Sequence, residues 1–573
     1  MTSDVETHID MAVAKAKFVN NAASNCIDFA SSRYSCSFES FTWYMNQGIL
    51  NIGVEDSCRL AALWKKGMQE IPPVADNRFI STDPLADSLG FTAPQVRYDL
   101  EKGNIACRGV RYIDLANGRF FPENGEVNIG ADGKIRKFVN GKLQCDAADT
   151  TKSLTGVKLD LSGRYRFGGE GDYHYVSAEK KETVVRFSEI GVDSSRFIYA
   201  KAGIEEERPL MLDDGLKYKG TIILNSARSD LYFSGYAGLA VTDTNFRPHW
   251  IKFDALLHPQ HIRIPLQVEN LDDKQQRVYN GIYLNADKTF RPYAAFMSNR
   301  LFYKDDLLAG GAGWLEWCPA LKQYWITDSL KNPAYRFCYD PQNSRIFAYD
   351  RIGLDIDIPG VDQKMSGNIS YDRTNERLEM KGALCLLDFP VLDKMENIIC
   401  KDFGAGRPGK GTRSPEVDRK MALIGDLSVR SLPSGQSEGK VMPDAGLPDK
   451  LFILDSLCLY WNEPTRSYKA DGGVNVVAVC GKPVDREMKV KIEFIRRHSG
   501  NQYFMYIYDD KMWYYFEFTD RNLYTLSSDE EYNAIVKSEK ADKKVMKNAS
   551  GESGYTITIC PVSKQERFLK RMK

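Results

Sequence analysis

The segment Val157-Lys-Leu-Asp-Leu161 alternates apolar and polar side chains, and two similar runs follow it, Arg164-Tyr-Arg-Phe167 and Tyr173-His-Tyr-Val176. Alternation with a period of two places successive side chains on opposite faces of a β-strand. Glycine-containing stretches separate the three runs, and glycine is typical of the tight turns between strands. This part of the chain is therefore predicted to form consecutive short strands that double back on one another.

The same pattern extends in both directions, over residues 1–385. Upstream, two short runs flank the turn Gly130-Ala-Asp-Gly133. Downstream the runs are Gly220-Thr-Ile-Ile-Leu224, Leu231-Tyr-Phe233, Arg345-Ile-Phe-Ala-Tyr349 and Leu354-Asp-Ile-Asp-Ile358. Short strands joined by such turns are typical of all-β proteins. We expect a mainly β fold with an elongated body of stacked strands. The sequence leaves open whether this body is solenoid-like, an open groove or a series of sandwiches.

Changes in composition divide the chain into three predicted regions. Residues 1–385 are the β-rich body, with internal divisions expected near residues 125 and 250. Residues 386–449 are predicted to be a connector that is helical and rich in Gly, Ser and Pro. Residues 450–573 are predicted to form a smaller C-terminal α+β unit.

Before residue 385 stretches with a helical period are scarce, and Val54–Gln69 is the best of them. The other expected helices lie in the later part of the chain. The segment Pro390–Ile399 is compatible with a helix, and Pro415 is a favourable first residue for a second helix. A third helix is expected to begin near Ser528, because Ser528 and Glu531 have the spacing of a capping box.

Charge and composition exclude some classes of partner. The 573 residues are 43% hydrophobic, and 77 basic residues balance 77 acidic residues. A chain without net charge has no overall field to attract a polyanion, so no nucleic-acid partner is expected. The longer apolar stretches, such as Ala383–Leu392, are far shorter than the ~20 residues that span a bilayer, so no transmembrane segment is expected.

The first residues and the cysteines bear on the protein's location. The opening Met1–Glu6 lacks the basic region of a secretory signal, and a strand-like pattern begins at Val5, so the sequence is expected to be a fragment or a mature form. The 12 cysteines include no Cys-x-x-Cys pair, and most are predicted to be buried free thiols. No cofactor or metal is predicted, although a zinc site built from scattered ligands stays an alternative.

A glycine-rich loop resembles a phosphate-binding loop. It places Gly404, Gly409, Lys410 and Thr412 in the order of a P-loop. A working P-loop follows directly on a buried strand, whereas the polar pair Lys401-Asp402 precedes this loop and the segment before it looks helical. We therefore expect an exposed loop and no bound nucleotide.

Three further motifs are expected to be structural, and no catalytic residue is predicted. Ser437 lies in a Gly-x-Ser-x-Gly pattern, but within a linker and without the strand that a nucleophile elbow requires. His258 and His261 flank a proline that prevents their presentation on one helix face. Asp355 and Asp357 lie two apart on one predicted strand, so they share a face. Paired carboxylates can act as acid and base on glycosides, but they also occur on the solvated face of a half-buried strand.

Trp314, Trp317 and Trp325 follow a glycine-rich segment and form the strongest candidate for ligand stacking. Indole faces bind sugar rings, but tryptophan is also an ordinary residue of sheets. A carbohydrate platform and a structural role both stay open at these positions.

Several segments, spread over most of the chain, carry a resemblance to a known family. They are Val110-Arg-Tyr-Ile-Asp114, Gly118-Arg-Phe-Phe-Pro122, Gly169-Glu-Gly-Asp-Tyr-His-Tyr175, Trp461-Asn-Glu-Pro-Thr-Arg-Ser-Tyr468, Ile492-Glu-Phe-Ile-Arg-Arg-His-Ser-Gly500, Trp513-Tyr-Tyr-Phe516, Leu526-Ser-Ser-Asp-Glu-Glu-Tyr532 and Phe568-Leu-Lys-Arg571. These segments resemble the C-terminal portion of a family of very large, β-rich cell-envelope proteins of Bacteroidota-type bacteria. The resemblance implies a periplasmic or cell-surface location. It carries over no catalytic residue, because the family has no assigned activity.

Three functions are compatible with these observations. The preferred one is a non-enzymatic structural or interaction protein of the bacterial cell envelope, with other envelope proteins or lipid as partners. The second is a β-groove that binds or conducts lipid, which requires an apolar face left open inside a sheet. The third is a glycan-binding or glycan-active protein, which requires the tryptophans and the paired carboxylates to line one cleft.

Overall fold

The computed structural model describes residues 4–22, 25–53, 77–240, 246, 248–287, 289–328, 335–354, 356–404, 414–425, 447–547 and 553–573. These residues form a mainly β fold with large antiparallel sheets, as the sequence predicts. Four helices lie in the later part of the chain, and the last of them, Val562–Arg571, was not predicted. The helix-period stretch 54–69 lies outside the described residues. Among the described residues, no helix is both long enough and apolar enough to cross a membrane.

The strands up to residue 257 are, in chain order, β1 (Val5–Asp10), β2 (Lys15–Asn20), β3 (Cys26–Phe29), β4 (Tyr34–Ser37), β5 (Ser40–Tyr44), β6 (Ile49–Gly53), β7 (Arg78–Ser81), β8 (Gly90–Thr92), β9 (Gln95–Asp99), β10 (Asn104–Arg108), β11 (Ile113–Leu115), β12 (Gly118–Phe121), β13 (Val127–Ile129), β14 (Phe138–Gln144), β15 (Ser153–Gly163), β16 (Arg166–Val176), β17 (Glu182–Val192), β18 (Ile198–Ile204), β19 (Leu210–Met211), β20 (Leu216–Asn225), β21 (Leu231–Leu239) and β22 (Ile251–Leu257).

The later strands are β23 (Ile264–Leu266), β24 (Glu269–Leu271), β25 (Arg277–Leu284), β26 (Pro292–Ser298), β27 (Asp306–Gly310), β28 (Gly313–Cys318), β29 (Gln323–Thr327), β30 (Arg336–Asp340), β31 (Arg345–Ile352), β32 (Asp362–Asp372), β33 (Arg377–Asp388), β34 (Phe452–Asn462), β35 (Ser467–Val479), β36 (Lys482–Ile495), β37 (Gln502–Tyr508), β38 (Trp513–Thr519), β39 (Asn522–Ser527), β40 (Val545–Lys547) and β41 (Ser553–Ile559). The helices are α1 (Asp393–Phe403), α2 (Pro415–Ile424), α3 (Glu530–Ser538) and α4 (Val562–Arg571).

The chain divides into two compact units, which alternate along the sequence between residues 213 and 263. The first unit contains residues 1–213, 217–237 and 253–262, and the second contains 214–216, 238–252 and 263–573. The boundary predicted at residue 385 falls inside β33. Because β33 pairs directly with β34, the C-terminal strands continue the sheet of the second unit and do not start a separate one.

Two sheets form the first unit. One has seven strands in the order β1-β2-β5-β6-β9-β10-β13, and the other runs mainly in chain order from β3 to β22. Phe29 of the large sheet meets Tyr98 of the small sheet edge to face, with ring centroids 4.8 Å apart. Phe79 and Phe91 stack on the large sheet beside them. Aromatic packing between the two sheets therefore builds a sandwich at this end of the unit.

A fifteen-stranded sheet dominates the second unit. Its strands follow the order β23-β28-β29 and then continue in chain order to β39, after which β41 and β40 complete it. Neighbouring strands pair antiparallel up to β39, and β41 pairs parallel to β39. Strands β24 to β27 form a separate four-stranded sheet. Its Phe296 stacks on Phe337 of the large sheet at 6.0 Å, so the small sheet covers one face of the large one.

The helices cover both faces of the C-terminal strands. Phe403 of α1 packs on Phe452 at 5.6 Å, and Tyr532 of α3 packs on Tyr514, which lies on the same face as Phe452. The other face carries α2 and α4. The buried residues of the α2 contact are Leu384, Leu386, Val417, Met421, Ile424, Ile453, Val477 and Ala478. The buried residues of the α4 contact are Ile495, Phe504, Tyr515, Leu526, Cys560, Phe568 and Met572. The strands between them are consequently apolar on both faces.

Local capping signals set the starts of two helices. Ser414 accepts a hydrogen bond from the Val417 N–H at 3.2 Å and Pro415 is the first residue of α2, as the sequence predicts. The cap of α3 is Asp529 and not Ser528, because the Asp529 carboxylate accepts the Tyr532 N–H at 2.8 Å. The helix therefore begins one residue later than the capping-box pattern indicates.

Candidate functional site

The three predicted stacking tryptophans do not share one face. Trp325 lies opposite Glu316 in the β28–β29 pair, and Trp314 is two residues before Glu316, so Trp314 and Trp325 project to the same side. Trp317 projects to the other side, where its ring lies 4.7 Å from the ring of Tyr324. There it packs against Gly215 so closely that a Cβ at that glycine would lie 2.3 Å from the indole. Trp317 therefore has a structural role.

Trp314 and Trp325 remain as a half-exposed pair within a polar surface. The Arg336 guanidinium lies over the Trp325 ring at 4.9 Å. Glu316 forms an ion pair with Arg263 at 3.0 Å and accepts a hydrogen bond from the Thr327 hydroxyl at 2.9 Å. Aromatic rings beside charged hydrogen-bonding groups are the ingredients of a sugar-binding surface. The structure thus keeps two of the three predicted residues together.

Asp357, one of the paired carboxylates, does not lie on a strand. Strand β31 ends at Ile352 and β32 begins at Asp362, so the strand predicted over 354–358 is wrong for its described residues. Asp357 has a φ of 46°, a left-handed conformation that interrupts an extended chain. Asp357 is exposed, whereas Asp355 lies outside the described residues.

The two histidines form a tight turn. The His261 N–H donates to the His258 carbonyl at 2.9 Å, and the His258 Nδ1 accepts the Gln260 N–H at 3.2 Å. One imidazole nitrogen of His258 is therefore used within the turn. The hydrogen bonds of this turn give His258 and His261 a structural role.

The loop that resembles a P-loop follows a helix and not a strand. Gly404 ends α1 in a left-handed conformation with a φ of 73°. Gly409, Lys410 and Thr412 lie outside the described residues, and so does Ser437 of the Gly-x-Ser-x-Gly pattern. A helix before the loop lacks the strand-to-loop arrangement on which phosphate binding depends.

The structure brings together a cluster that the sequence pattern did not single out. One ligand atom each from Glu396, Cys400 and Cys480 lies within 4.8 Å of the other two. Glu396 and Cys400 are four residues apart on α1, so they share one helix face. Cys480 belongs to the turn between β35 and β36. The spacing Glu-x-x-x-Cys was the available signal, but the third residue is 80 positions away in the sequence.

The Cys480 thiol is held in its protonated form when no cation is nearby. Burial raises the pKa of this thiol, and hydrogen bonding with Cys400 and with Glu396 raises it further. The other cysteines of the described residues are free thiols; six are buried, whereas Cys26 and Cys458 are exposed. The buried ones are Cys36, Cys107, Cys145, Cys338, Cys385 and Cys560.

A second feature is the turn between β26 and β27, Arg300-Leu-Phe-Tyr-Lys304, which we call the aromatic turn. Its Leu301, Phe302 and Tyr303 are 66%, 44% and 67% exposed. The turn is nevertheless well fixed, because buried Asp305 accepts the Phe302 N–H at 2.9 Å and the Tyr293 hydroxyl at 2.6 Å. An anchored turn thus presents three large apolar side chains to solvent.

Basic side chains flank this aromatic turn. The Arg300 guanidinium lies over the Tyr279 ring at 4.8 Å, and the Lys304 ammonium lies 5.5 Å from the centre of the Tyr303 ring. Two acidic residues follow Lys304. Asp305 is buried, and Asp306 is paired with Arg496. The exposed tip therefore combines apolar rings with positive charge.

The inner faces of the sheets are filled by the chain itself. In the first unit, Leu154, Val157, Leu159 and Leu161 of β15 are all at most 3% exposed. In the second unit, a cavity of about 190 Å³ is lined by residues that include Leu308, Leu354, Tyr468 and Arg496. Sites for drug-sized ligands measure roughly 300–1,000 Å³, so this cavity is too small for an acyl lipid. Neither this face of β15 nor this cavity is an open apolar face of the kind that a lipid-conducting groove needs.

No protein-family model matches the sequence, and no curated protein matches it significantly.

Proposed function

We propose that this protein is a non-enzymatic structural and interaction protein of the bacterial cell envelope, in the periplasm or at the cell surface, that rests on an anionic lipid surface through its aromatic turn. The observation that carries the proposal is the exposure of Leu301, Phe302 and Tyr303 on a turn that buried Asp305 holds in place. A fixed apolar tip is pre-organised, so binding costs little conformational entropy.

The chemistry of the tip favours a membrane surface over other partners. Aromatic side chains with a polar end, such as tyrosine, favour the boundary between lipid headgroups and acyl chains, and basic side chains favour anionic headgroups. Arg300 and Lys304 flank three apolar residues, which is this combination. Shallow burial of the three side chains contributes about 4 kcal/mol, which makes the contact weak and reversible.

The rest of the described structure supports a rigid body behind this contact. Charged groups inside the second unit are used within the fold: Lys420 pairs with Asp455, and Glu493 is buried against Lys469 and Arg571. Both faces of the C-terminal strands are covered by helices. A protein built in this way transmits position and force well, which suits a scaffold.

Vesicle flotation tests the proposal directly. The full-length chain is mixed with phosphatidylcholine vesicles that contain or lack phosphatidylglycerol, and the bound fraction is measured. We expect binding to the anionic vesicles, a decrease in affinity of roughly 100-fold for the variant Phe302→Ser/Tyr303→Ser, and weaker binding at high salt. The matched control is Leu321→Ser, at another turn of the same unit, where the leucine is 53% exposed.

Two outcomes would overturn the proposal. One is that the wild type does not bind anionic vesicles. The other is that Leu321→Ser lowers binding as much as the double variant does, because binding would then not depend on the aromatic turn.

A glycan-binding function is a second candidate, favoured by the shared face of Trp314 and Trp325. Sugar rings that stack there would change indole fluorescence, and Arg336 and Glu316 supply hydrogen-bonding groups beside the rings. Titration of the chain with oligosaccharides should then give a saturable change that Trp325→Ala abolishes and Trp513→Ala retains. A change of equal size in both variants would contradict this candidate.

A further inference from the structure

We propose that Glu396, Cys400 and Cys480 bind one Zn²⁺ ion that joins helix α1 to the turn between β35 and β36. This inference does not depend on the contact with lipid. It rests on the chemistry of two thiols and one carboxylate whose ligand atoms all lie within 4.8 Å of one another.

The distances are compatible with tetrahedral zinc. Zn–S bonds of about 2.3 Å and Zn–O bonds of about 2.0 Å place the ligand atoms of a tetrahedral site roughly 3.5–3.8 Å apart. The observed limit of 4.8 Å needs only small side-chain adjustments to reach these values. Three protein ligands leave a fourth position for water, as in other open zinc sites.

Thiolates select the metal. Soft sulfur ligands favour zinc over magnesium or calcium, which prefer sites made of oxygen atoms. Binding removes a proton from each thiol, and the ion then screens the repulsion between the two thiolates and the carboxylate. Both cysteines are partly buried and Glu396 is exposed, so the site is open to metal from the solvent.

The turn that carries Cys480 is fixed before metal arrives. Cys480 and Gly481 are the two residues of a hairpin turn, with φ values of 51° and 68°. Type I′ turns of this kind favour Asn-Gly or Asp-Gly, so a cysteine at the first position is unusual. The Cys480 N–H donates to the Leu451 carbonyl at 3.1 Å, and the Gly481 N–H to the Lys450 carbonyl at 3.3 Å. The backbone therefore holds the thiol in position opposite α1.

The second turn position is also close to Asp449. A Cβ at Gly481 would lie 3.0 Å from a carboxylate oxygen of Asp449. Asp449 thus places a further negative charge next to the turn, which favours a cation in this region.

Metal content and spectroscopy test the site in the full-length chain. Protein purified under reducing conditions is loaded with Zn²⁺, dialysed and analysed for zinc. We expect the wild type to hold one zinc ion per chain more than Cys480→Ser does. Cys400→Ser should lack this ion as well. Cobalt(II) in place of zinc should give thiolate-to-metal charge-transfer absorption in the wild type that both serine variants lack.

Two further variants make the result specific. Glu396→Gln changes an exposed side chain, so folding is unaffected, and it should weaken zinc affinity by at least about tenfold. Cys458→Ser removes an exposed thiol from the same unit and should retain full zinc content. Zinc should also raise the Tm of the wild type and of Cys458→Ser, but not that of Cys480→Ser.

Equal zinc content in the wild type and Cys480→Ser would overturn the proposal. The proposal would also be overturned if Cys400 and Cys480 formed a disulfide and the protein bound no zinc after this disulfide was reduced. Failure of vesicle binding leaves this test unaffected, because it uses different residues and a different ligand.

Discussion

The Lys420 ammonium on α2 lies 2.7 Å from the Asp455 carboxylate on β34, and both side chains are buried. The pair ties the helix to the middle of the fifteen-stranded sheet. Around it, the contact between α2 and the sheet is made by apolar residues such as Met421 and Ile453. Removing one member of such a pair leaves the other charge without compensation in an apolar environment.

Replacing Lys420 with Met should lower the free energy of unfolding of the second unit by about 3–5 kcal/mol. The double variant Lys420→Met/Asp455→Leu should recover most of this loss, because neither charge then remains buried. Urea unfolding of the single and double variants measures both quantities. A loss below about 1 kcal/mol in the single variant, or no recovery in the double variant, would contradict this role for the pair.

The two aromatic residues Phe516 and Trp513 of β38 should differ in their contribution to stability. Phe516 is fully buried and lies 5.3 Å from Phe389 and 6.0 Å from Phe452, whereas Trp513 is only partly buried. Phe516→Ala should cost about 3–5 kcal/mol through lost burial and the cavity that remains. Trp513→Ala should cost clearly less in the same unfolding experiment. An equal loss of unfolding free energy in the two variants would contradict the deeper burial of Phe516.

Stability should depend on pH through Asp350 on β31. Burial raises the pKa of this carboxyl from 3.8 to about 6, although the Arg351 N–H donates to it at 2.7 Å. Between about pH 4 and 6 the unfolded chain therefore loses a proton that the folded chain keeps, so this residue makes folding less favourable as the pH rises. The decrease amounts to about 2–3 kcal/mol.

The variant Asp350→Asn isolates this contribution from other acidic residues. Its side chain is neutral at every pH, so the wild type and the variant should have similar stability near pH 4. The variant should become progressively more stable than the wild type up to about pH 6–7. A difference in unfolding free energy that stays constant over this range would show that the Asp350 pKa is not raised.

Much of the strand pattern could be predicted from the sequence, because it depends on neighbouring residues. The alternating run Val157–Leu161 lies inside β15, and Pro415 begins α2 as expected. The strand over 354–358 was wrong because Asp357 adopts a left-handed conformation, which alternation of side chains does not reveal. Local sequence patterns thus predicted where strands and helices lie better than they predicted where the backbone interrupts a strand.

Long-range relationships were beyond the sequence pattern. The pairing of β33 with β34 joins residues on both sides of the predicted boundary at residue 385. The cluster of Cys400 and Cys480 exists only because α1 packs beside the β35–β36 turn. The shared side of Trp314 and Trp325 follows from the pairing register of β28 and β29, which the sequence pattern does not give. The resemblance to large envelope proteins stays a prediction.

Hydrogen–deuterium exchange of the full-length chain, with and without anionic vesicles, tests the central claim most directly. The Leu301 and Phe302 amides donate to the Tyr293 hydroxyl and to Asp305, so their exchange reports on the aromatic turn itself. The proposal predicts additional protection on vesicle binding that is confined to peptides covering residues 299–305. Unchanged exchange in these peptides, or protection confined to another part of the chain, would contradict the proposal.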